Sequence, residues 1–187
     1  VEFENGDLRY LRLGGKELLR RVYVAIRDHN WNTIPPEIPV VQITAWEDHF
    51  RIDFEAYHKD KELAFRWHAA IEGKPDGTIE YTLDGVAESD FRYNRIGFCV
   101  LHPIRGVAGQ PFQAITPRGT LIGTLPRLVG PQRIEKGFEA PLFPACSSLT
   151  VFPEGGGSVT TRFEGDLFEL EDQRNWTDAS FKTYCTP

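Results

Sequence analysis

Ionisable and hydrogen-bonding side chains are most concentrated at residues 171–184, in the segment EDQRNWTDASFKTY. The segment holds three acids, two bases, two amides and three aromatic rings. An acid beside an arginine stays ionised, whereas an acid packed against aromatic rings has its pKa raised, so this mixture can separate a proton acceptor from a proton donor. Carboxylates, planar donors and rings also suit a ligand with many hydroxyl groups. The segment is therefore a candidate for acid–base chemistry on a carbohydrate.

The spacing of these groups suggests how they are divided between two faces. If the strand period of two continues from Phe168, each face carries a carboxylate with a partner two residues away, either Asp172 with Arg174 or Glu171 with Gln173. We predict Glu171 and Asp172 as catalytic bases. The alternative is a salt-bridged network that closes the fold, with the aromatic rings as core. The other polar and aromatic residues predicted to bind substrate are Arg174, Asn175, Trp176 and Lys182.

A histidine stands where an apolar strand is predicted to end. The run Ile96–Leu101 is followed by His102 and Pro103, and proline cannot continue a strand ladder. We predict that His102 is exposed at the rim of a sheet and acts as a catalytic general acid. The alternative is a packed or solvated histidine without a chemical role. Two further histidines, His58 and His68, fall in charged, strand-like patterns that are typical of a surface.

A third polar set follows the predicted strand Val22–Ile26. The sequence RDHNWNT at 27–33 offers a charge pair, an imidazole, amides and an indole ring at a strand end, where a rigid scaffold can present them. We predict that Arg27, Asp28 and Trp31 bind substrate. The alternative is an arginine–aspartate pair and an asparagine-rich turn beneath a packed tryptophan.

The elements that must position these groups are predicted to be β-strands. Alternating and β-rich runs recur along the chain, and turn signals such as Asn5-Gly6 separate them. This spacing predicts an all-β fold, an antiparallel β-sandwich with long Pro/Gly-rich loops. The segment Arg105–Pro144 is predicted to run mostly as extended loops, and residues 1–187 to form a single domain. The predicted strands are 1–4, 8–13, 22–26, 40–46, 50–57, 63–71, 78–87, 96–101 and 158–163.

Composition limits the classes of partner. The chain has 187 residues, a formal net charge of −6 and no run of five like charges, so nothing indicates binding to a phosphate backbone. No apolar run approaches the roughly 18 to 20 residues that cross a bilayer. We therefore expect neither nucleic acid nor a membrane as a partner. Three widely spaced cysteines form no C-x-x-C pair, which favours a reducing cytoplasm.

Motifs for bound cofactors are absent from the sequence. It has no phosphate-binding glycine loop, no H-E-x-x-H motif and no G-x-S-x-G elbow. The five histidines are far apart in sequence, and no pattern of ligands indicates a zinc site. We therefore expect no cofactor and no metal. The chain also contains no methionine, even at position 1, and we expect it to be a piece of a longer polypeptide.

Three longer segments contain the polar sets: GDLRYLRLGGKELLRRVYVAIRDHNWNTIPP at 6–36, RYNRIGFCVLHPIRGVAGQPFQAITPRG at 92–119 and FELEDQRNWTDASFKTY at 168–184. Together they resemble the N-terminal region of the D-apionate lactonase family. The resemblance implies a hydrolase of carbohydrate metabolism that opens a sugar-acid lactone in apiose catabolism. It also implies a longer protein, in which a C-terminal barrel domain follows this region and is its partner. The roles assigned to individual residues rest on their chemistry, not on the resemblance.

Several classes of function remain open for such a chain. In the first, it contributes polar residues to a site that hydrolyses a sugar-acid lactone or another small carbohydrate. In the second, it is a non-catalytic structural or carbohydrate-binding β-sandwich module. A looser likeness to the galactose-mutarotase-type supersandwich rests on the strand count and on His102-Pro103 at a strand end. That likeness adds a mutarotase-like sugar epimerase as a third reading.

Overall fold

The chain folds into β-strands and connecting segments. A computed structural model describes residues 1–130, 134–135, 138–139, 142–176 and 178–185. That part of the chain contains seventeen strands and no helix, which confirms the predicted all-β class. The strands are β1 (Glu2–Glu4), β2 (Asp7–Leu13), β3 (Lys16–Asp28), β4 (Val41–Ala45), β5 (Phe50–Asp60), β6 (Leu63–Gly73), β7 (Ile79–Ala87), β8 (Tyr93–His102), β9 (Pro111–Thr116), β10 (Gly119–Thr124), β11 (Ile134–Glu135), β12 (Phe138–Glu139), β13 (Phe143–Cys146), β14 (Ser148–Val151), β15 (Val159–Arg162), β16 (Phe168–Asp172) and β17 (Phe181–Cys185).

The chain divides into two compact units. Unit 1 comprises Val1–Tyr23 and Phe98–Pro187, and unit 2 comprises Val24–Gly97. The chain passes from unit 1 to unit 2 within β3 and returns within β8. The single domain predicted for residues 1–187 stays a prediction.

Unit 1 is an antiparallel β-sandwich. A seven-stranded sheet in the order β1-β2-β3-β8-β17-β16-β13 faces a four-stranded sheet in the order β10-β9-β14-β15. The register places Phe181 of β17 opposite His102 of β8 on one side and opposite Asp172 of β16 on the other. Strand β17 therefore lies inside the sheet, with hydrogen-bonded neighbours on both edges.

The core of unit 1 forms between its two sheets. Leu149 and Val151 of β14 belong to the same buried cluster as Phe168, Leu170 and Phe181 of the seven-stranded sheet. Residues two apart on a strand share a face, so each sheet has one apolar face, and the two apolar faces cover each other. The full cluster is Val107, Phe112, Ala114, Leu125, Phe143, Cys146, Leu149, Val151, Phe168, Leu170, Phe181 and Cys185.

Unit 2 is built on a four-stranded antiparallel meander, β4-β5-β6-β7. The two-residue turn Lys61-Glu62 joins β5 to β6, and Lys61 has the positive φ, 51°, that tight hairpin turns require. The outward face of the meander carries ion pairs, such as Arg51 with Asp53 at 2.7 Å. The opposite face of β5 and β6 is buried and comprises Ile52, Phe54, Ala56, His58, Leu63, Phe65, Trp67, Ala69 and Ile71.

His58 lies on the buried face of unit 2, so its prediction as a surface residue is wrong, whereas His68 is exposed as predicted. Trp67 Nε1–H donates to His58 Nε2 over 2.9 Å, and His58 Nδ1–H donates to Ile34 O over 2.8 Å. Burial lowers the pKa of His58, and these two bonds require the neutral Nδ1–H tautomer. Glu55 and Lys59, the charged residues three and one positions from His58, lie on the opposite face of β5, which explains the misleading pattern.

The segment Arg105–Pro144 contains strands that its composition concealed. Strands β9 and β10 pair as a hairpin, with Phe112 opposite Gly123, so the prediction of extended loops is wrong there. Glycine is needed at this position, because a Cβ on Gly123 would lie 2.8 Å from the Phe112 ring. Residues 131–133, 136–137 and 140–141 of the segment lie outside the described residues.

We expect Leu149→Ala to lower the free energy of unfolding by about 2–5 kcal/mol, because it empties a position that is 1% exposed in the unit 1 core. Leu13→Ala is the matched control, since Leu13 is 74% exposed. Its truncation should change the same quantity by less than about 0.5 kcal/mol. Urea unfolding followed by tryptophan fluorescence measures both. Equal losses in the two variants would contradict the assignment of this core.

Candidate functional sites

The segment 171–184 forms the β16–β17 hairpin rather than one extended strand. Strand β16 ends at Asp172, and Gln173 N–H donates to Ser180 O over 3.0 Å at the base of the loop. Trp176 N–H then donates to Gln173 O over 3.0 Å, so the chain turns immediately after the strand. The strand period of two therefore does not continue past Asp172 to Arg174, because the strand stops where the loop begins.

Lys182 is held as a buried cation on one face of this hairpin. Its Nζ donates to Asp178 Oδ2 over 2.7 Å, and the side chain is 3% exposed. The same Nζ lies 5.6 Å from the ring centroid of Tyr23 and 5.7 Å from that of Tyr184. The negative faces of these rings stabilise an ammonium group that water barely reaches.

The surroundings of Lys182 determine its charge state. Burial by itself lowers the pKa of Lys182, but Cys99, Tyr23 and Asp178 more than offset this effect when ionised, so its pKa stands above the ordinary value. Burial also raises the pKa of Tyr23 to about 12. A lysine that acts as a base or nucleophile needs a lowered pKa. Lys182 is therefore suited to hold a positive charge rather than to transfer a proton.

Glu171 is the cross-strand neighbour of Lys182 and is also buried. Its Oε2 accepts a hydrogen bond of 2.6 Å from Gln173 Nε2 at the start of the loop. A general base has to reach the proton that it abstracts, either directly or through one water molecule. The carboxylate of Glu171 is thus placed to close the hairpin, and its catalytic role stays a prediction. Asn175 and Trp176 are exposed in the loop, and their substrate-binding role stays a prediction too.

Asp172 and Arg174 hold a neighbouring segment in place. Arg174 Nε donates to Asp172 Oδ1 over 2.7 Å and Nη2 to Oδ2 over 2.6 Å, a bidentate pair that fixes the guanidinium plane. Its Nη1 and Nη2 also donate to the backbone carbonyls of Arg127 and Leu128, over 3.1 and 3.0 Å. The guanidinium carbon lies 4.6 Å from the centroid of the Phe181 ring. We call this arrangement the Arg174 clamp. Because the Arg174 side chain is 5% exposed, it binds protein groups and offers little to a ligand.

His102 is buried, so the prediction that it is exposed at the rim of a sheet is wrong. It is 3% exposed, and its Nε2 shares a hydrogen bond of 2.5 Å with Thr183 Oγ1 of the neighbouring strand. The chain after β8 turns back into the unit 1 core, where Val107 is also buried. Burial lowers the pKa of His102 to about 4, so the imidazole is neutral at neutral pH. Its role as a catalytic acid stays a prediction.

The predicted catalytic groups are distributed over both faces of the seven-stranded sheet. In the register, Asp172 of β16 and His102 of β8 lie in one row with Phe181 between them. Glu171 and Lys182 alternate with that row and take the opposite face of the sheet. The structure thus pairs Asp172 with Arg174, and places Glu171 beside Lys182, but it does not gather the predicted bases and the predicted acid around one cleft.

In unit 2, Asp28 organises the loop that follows β3. Its Oδ1 accepts bonds of 2.8 Å from the backbone N–H groups of Asn30 and Asn32, and its Oδ2 accepts one of 2.9 Å from Asn32 Nδ2. These bonds, those from Asn32 above all, hold the pKa of Asp28 below its ordinary value. Asn94 Nδ2 donates to His29 O over 3.0 Å and fixes the loop from outside. The loop is therefore preorganised, with Asp28 as an anion.

Trp31 adopts a rare backbone conformation near the end of this loop. Its φ is 67°, in the left-handed region that is costly for a bulky residue. Arg27 Nη1 donates to Trp31 O over 3.4 Å, and the guanidinium carbon of Arg95 lies 5.3 Å from the Trp31 ring centroid. The ring nevertheless remains exposed. The role of Arg27, Asp28 and Trp31 in substrate binding stays a prediction.

The same loop borders an open groove of about 700 Å³ within unit 2. Residues from three segments line it, at 28–30, 32 and 34 in the first, at 60–63 in the second and at 90–92 in the third. Of the lining residues, Asp28 was predicted from the sequence to bind substrate. The lining residues that this prediction missed include Asp60, Glu62, Asp90 and Arg92. These residues are distant from Asp28 in sequence. The only sign of them in the sequence was the charge of the short turn Lys61-Glu62, which joins the strongly alternating strands β5 and β6.

Two other kinds of feature are absent from the part of the chain that the structure describes. That part has no helix with the length and apolar character needed to cross a membrane. The described residues also contain no group of three or more histidine, cysteine, aspartate or glutamate side chains placed to hold a metal ion. Cys99, Cys146 and Cys185 are buried free thiols.

The fold and these clusters define an all-β module whose sandwich encloses paired polar groups. The whole chain, residues 1–187, belongs to the family described as D-apionate lactonase, N-terminal domain. It is similar to a D-apionate lactonase of Brucella anthropi, with 37% identity over 191 aligned residues. The alignment covers all of this chain and 30% of that relative. No solved structure matches the chain.

We expect Arg174→Met to lower the free energy of unfolding by about 2–4 kcal/mol, because it leaves the Asp172 carboxylate and two backbone carbonyls without their donor. Trypsin should then cut faster after Arg127, which the clamp holds. Arg12→Met is the control, since Arg12 forms an exposed pair with Glu2 and should contribute less than about 0.5 kcal/mol. Urea unfolding and timed proteolysis measure the effects, and wild-type behaviour of Arg174→Met would refute the clamp.

We expect stability to fall as the pH drops from about 6.5 to 4. The pKa of His102 is about 4 in the folded protein and ordinarily 6.5, so the unfolded chain takes up the proton first as pH falls. The contribution of neutral His102 to the free energy of unfolding is complete above pH 6.5. It is lost as the pH falls towards 4, at about 1.4 kcal/mol per pH unit and about 3 kcal/mol in all.

His102→Gln should reduce this slope, leaving a smaller one of the same sign from His58, whose pKa is also lowered by burial. His68→Gln is the control, because His68 is exposed and should leave the slope as it is. Urea unfolding at a series of pH values measures the slope. An undiminished slope in His102→Gln would show that His102 is accessible to protons in the folded state.

Proposed function

We propose that the chain works as the N-terminal β part of a hydrolase that opens a sugar-acid lactone to the aldonate. The observation that carries this proposal is the family membership over residues 1–187, together with the identity to the D-apionate lactonase of Brucella anthropi. Because the chain spans 30% of that relative, the activity, the substrate and a following barrel domain all belong to the proposal. A role in apiose catabolism and a cytoplasmic location belong to it too, and the three free thiols support the latter.

Lactone hydrolysis needs a base that activates water, a donor that stabilises the developing oxyanion, and an acid that protonates the leaving alkoxide. In the hairpin, Glu171 or Asp172 would be the base and Arg174 and Lys182 the donors, and His102 of the neighbouring strand β8 would be the acid. The observed contacts favour a different role. Arg174 uses its donors on Asp172 and two carbonyls, Lys182 is paired with Asp178, and Glu171 and His102 are buried.

We therefore propose that these residues position the β16–β17 hairpin and that the reacting groups come from another part of the full-length protein. A positioning role explains why each charge in the hairpin meets an internal partner at 2.6–2.7 Å. A reacting group needs an open path to substrate, and buried ion pairs lack one.

Carbohydrate binding is a second candidate function, and the groove of unit 2 is the observation that favours it. Concave sites with a few convergent polar groups are the usual form of small-ligand sites. The mutarotase-like reading has no comparable support, because it requires His102 to touch the sugar while His102 is buried against Thr183.

We expect Glu171→Gln and Asp172→Asn in the full-length protein to keep kcat/KM for the lactone of D-apionate within about threefold of wild type, a change of about 0.7 kcal/mol. Asp172→Asn should instead lower the free energy of unfolding by about 1–3 kcal/mol, since Arg174 loses its anion. Proton release on hydrolysis and urea unfolding provide the two measurements.

Two results would overturn these statements separately. A drop of about a hundredfold or more in kcat with normal stability would make Glu171 or Asp172 a reacting group. A wild-type protein that hydrolyses no sugar-acid lactone would end the proposed activity, whatever the variants do.

A further inference from the structure

We infer that the open groove of unit 2 binds a neutral sugar and discriminates against the anionic aldonate. The inference rests on the proposed carbohydrate binding and adds the residues and the charge state of the ligand. The groove volume of about 700 Å³ lies within the range of sites for small organic ligands. Its lining combines a fixed wall, an apolar floor and unpaired polar groups.

The walls of the groove are tied together before any ligand arrives. Ser89 Oγ donates to Glu62 O over 2.6 Å and accepts from Ala64 N–H over 3.0 Å, which joins the segment before Asp90 to the β5–β6 turn. His58 Nδ1–H donates to Ile34 O and joins the loop after β3 to the meander. Walls that are already ordered avoid the entropy cost of ordering them on binding.

The floor of the groove is apolar. Ile34 and Leu63 are buried among the lining residues, and the Phe91 side chain is half-buried beside them. A sugar ring presents C–H groups on its faces and hydroxyl groups around its edge. An apolar floor with a polar rim therefore matches a sugar better than it matches a fully polar ion.

The polar rim has hydrogen-bonding capacity that the protein itself does not use. The side chains of Asp60, Glu62, Asp90 and Arg92 are exposed, and none makes a hydrogen bond or an ion pair with another residue that the structure describes. Several charges elsewhere in unit 2 are paired, such as Arg51 with Asp53 on the outward face of the meander. Carboxylate acceptors beside a guanidinium donor can satisfy hydroxyl groups, which both donate and accept.

The sign of the charge selects the form of the sugar. The groove is lined by four carboxylates, those of Asp28, Asp60, Glu62 and Asp90, and by two cations, Lys61 and Arg92, so negative charge is in excess. A lactone or a free sugar is neutral, whereas the aldonate formed by hydrolysis carries a negative charge that this lining repels. The groove would therefore bind the neutral lactone, the substrate of the proposed reaction, and release the anionic aldonate, its product.

Saturation-transfer NMR of the full-length protein tests the ligand class. The neutral probe is methyl β-D-ribofuranoside, which has no lactone bond to hydrolyse, and the anionic probe is sodium D-ribonate. We expect the riboside to bind and the ribonate to bind at least about tenfold more weakly, a difference of about 1.4 kcal/mol. Added salt should narrow this gap, because it screens the charges of an open groove.

Glu62→Ala and Asp90→Ala test whether the riboside binds in the groove. Each should weaken riboside binding about fivefold or more, because each removes an acceptor from the rim. Glu47→Ala is the matched control, since Glu47 is also exposed and lies in the β4–β5 turn, outside the groove lining. Urea unfolding curves of the three variants should coincide, because all three side chains are exposed.

Several outcomes would overturn the inference. They are no riboside signal in the wild type, ribonate binding as tight as riboside binding, equal losses in Glu47→Ala, and binding of Ca²⁺ with no binding of the riboside. The proposed hydrolase activity is judged apart from these. Lactone turnover without riboside binding removes the groove site alone, and riboside binding without lactone turnover removes the hydrolase alone.

Discussion

Strand β17 is buried along its whole length, and the organisation of unit 1 depends on this constraint. With β8 and β16 bonded to its edges, the strand period sends Phe181 and Thr183 to the sandwich core and Lys182 to the opposite face. A buried ammonium is unstable without an anion, so the loop that precedes β17 must return Asp178 to Lys182. The shape of the hairpin loop follows from that requirement.

The Arg174 clamp satisfies a similar requirement at the other end of the loop, where a largely buried arginine needs an anion. Asp172 closes β16 beside Phe181, and Arg174 covers that ring while joining Asp172 to the backbone at Arg127 and Leu128. A dense set of acids and bases in a sequence is thus equally compatible with closure of a fold and with catalysis. Unit 2 shows the contrasting case, because the side chains of Asp60, Glu62, Asp90 and Arg92 around its groove have no partner among the described residues.

Local pattern was enough to predict most strands but not their burial. The alternation in β5 and β6 identifies both strands, since it is a property of residues two apart. The same alternation led to the wrong prediction that His58 is on the surface, because its charged neighbours Glu55 and Lys59 belong to the other face of β5. Strands β9 and β10 were missed, because proline and glycine mask the alternation, although Gly123 is what lets the Phe112 ring lie across β10.

The sequence by itself determined the all-β class, the period that divides each strand between two faces, and the family to which the chain belongs. Only the tertiary structure decided which face is closed, which charge has a partner, and which polar groups remain open to a ligand. The physical reason is distance along the chain. Periodicity is local, whereas the pKa of Lys182 depends on Tyr23, and the groove exists only where the loop of Asp28 meets the turn at Glu62.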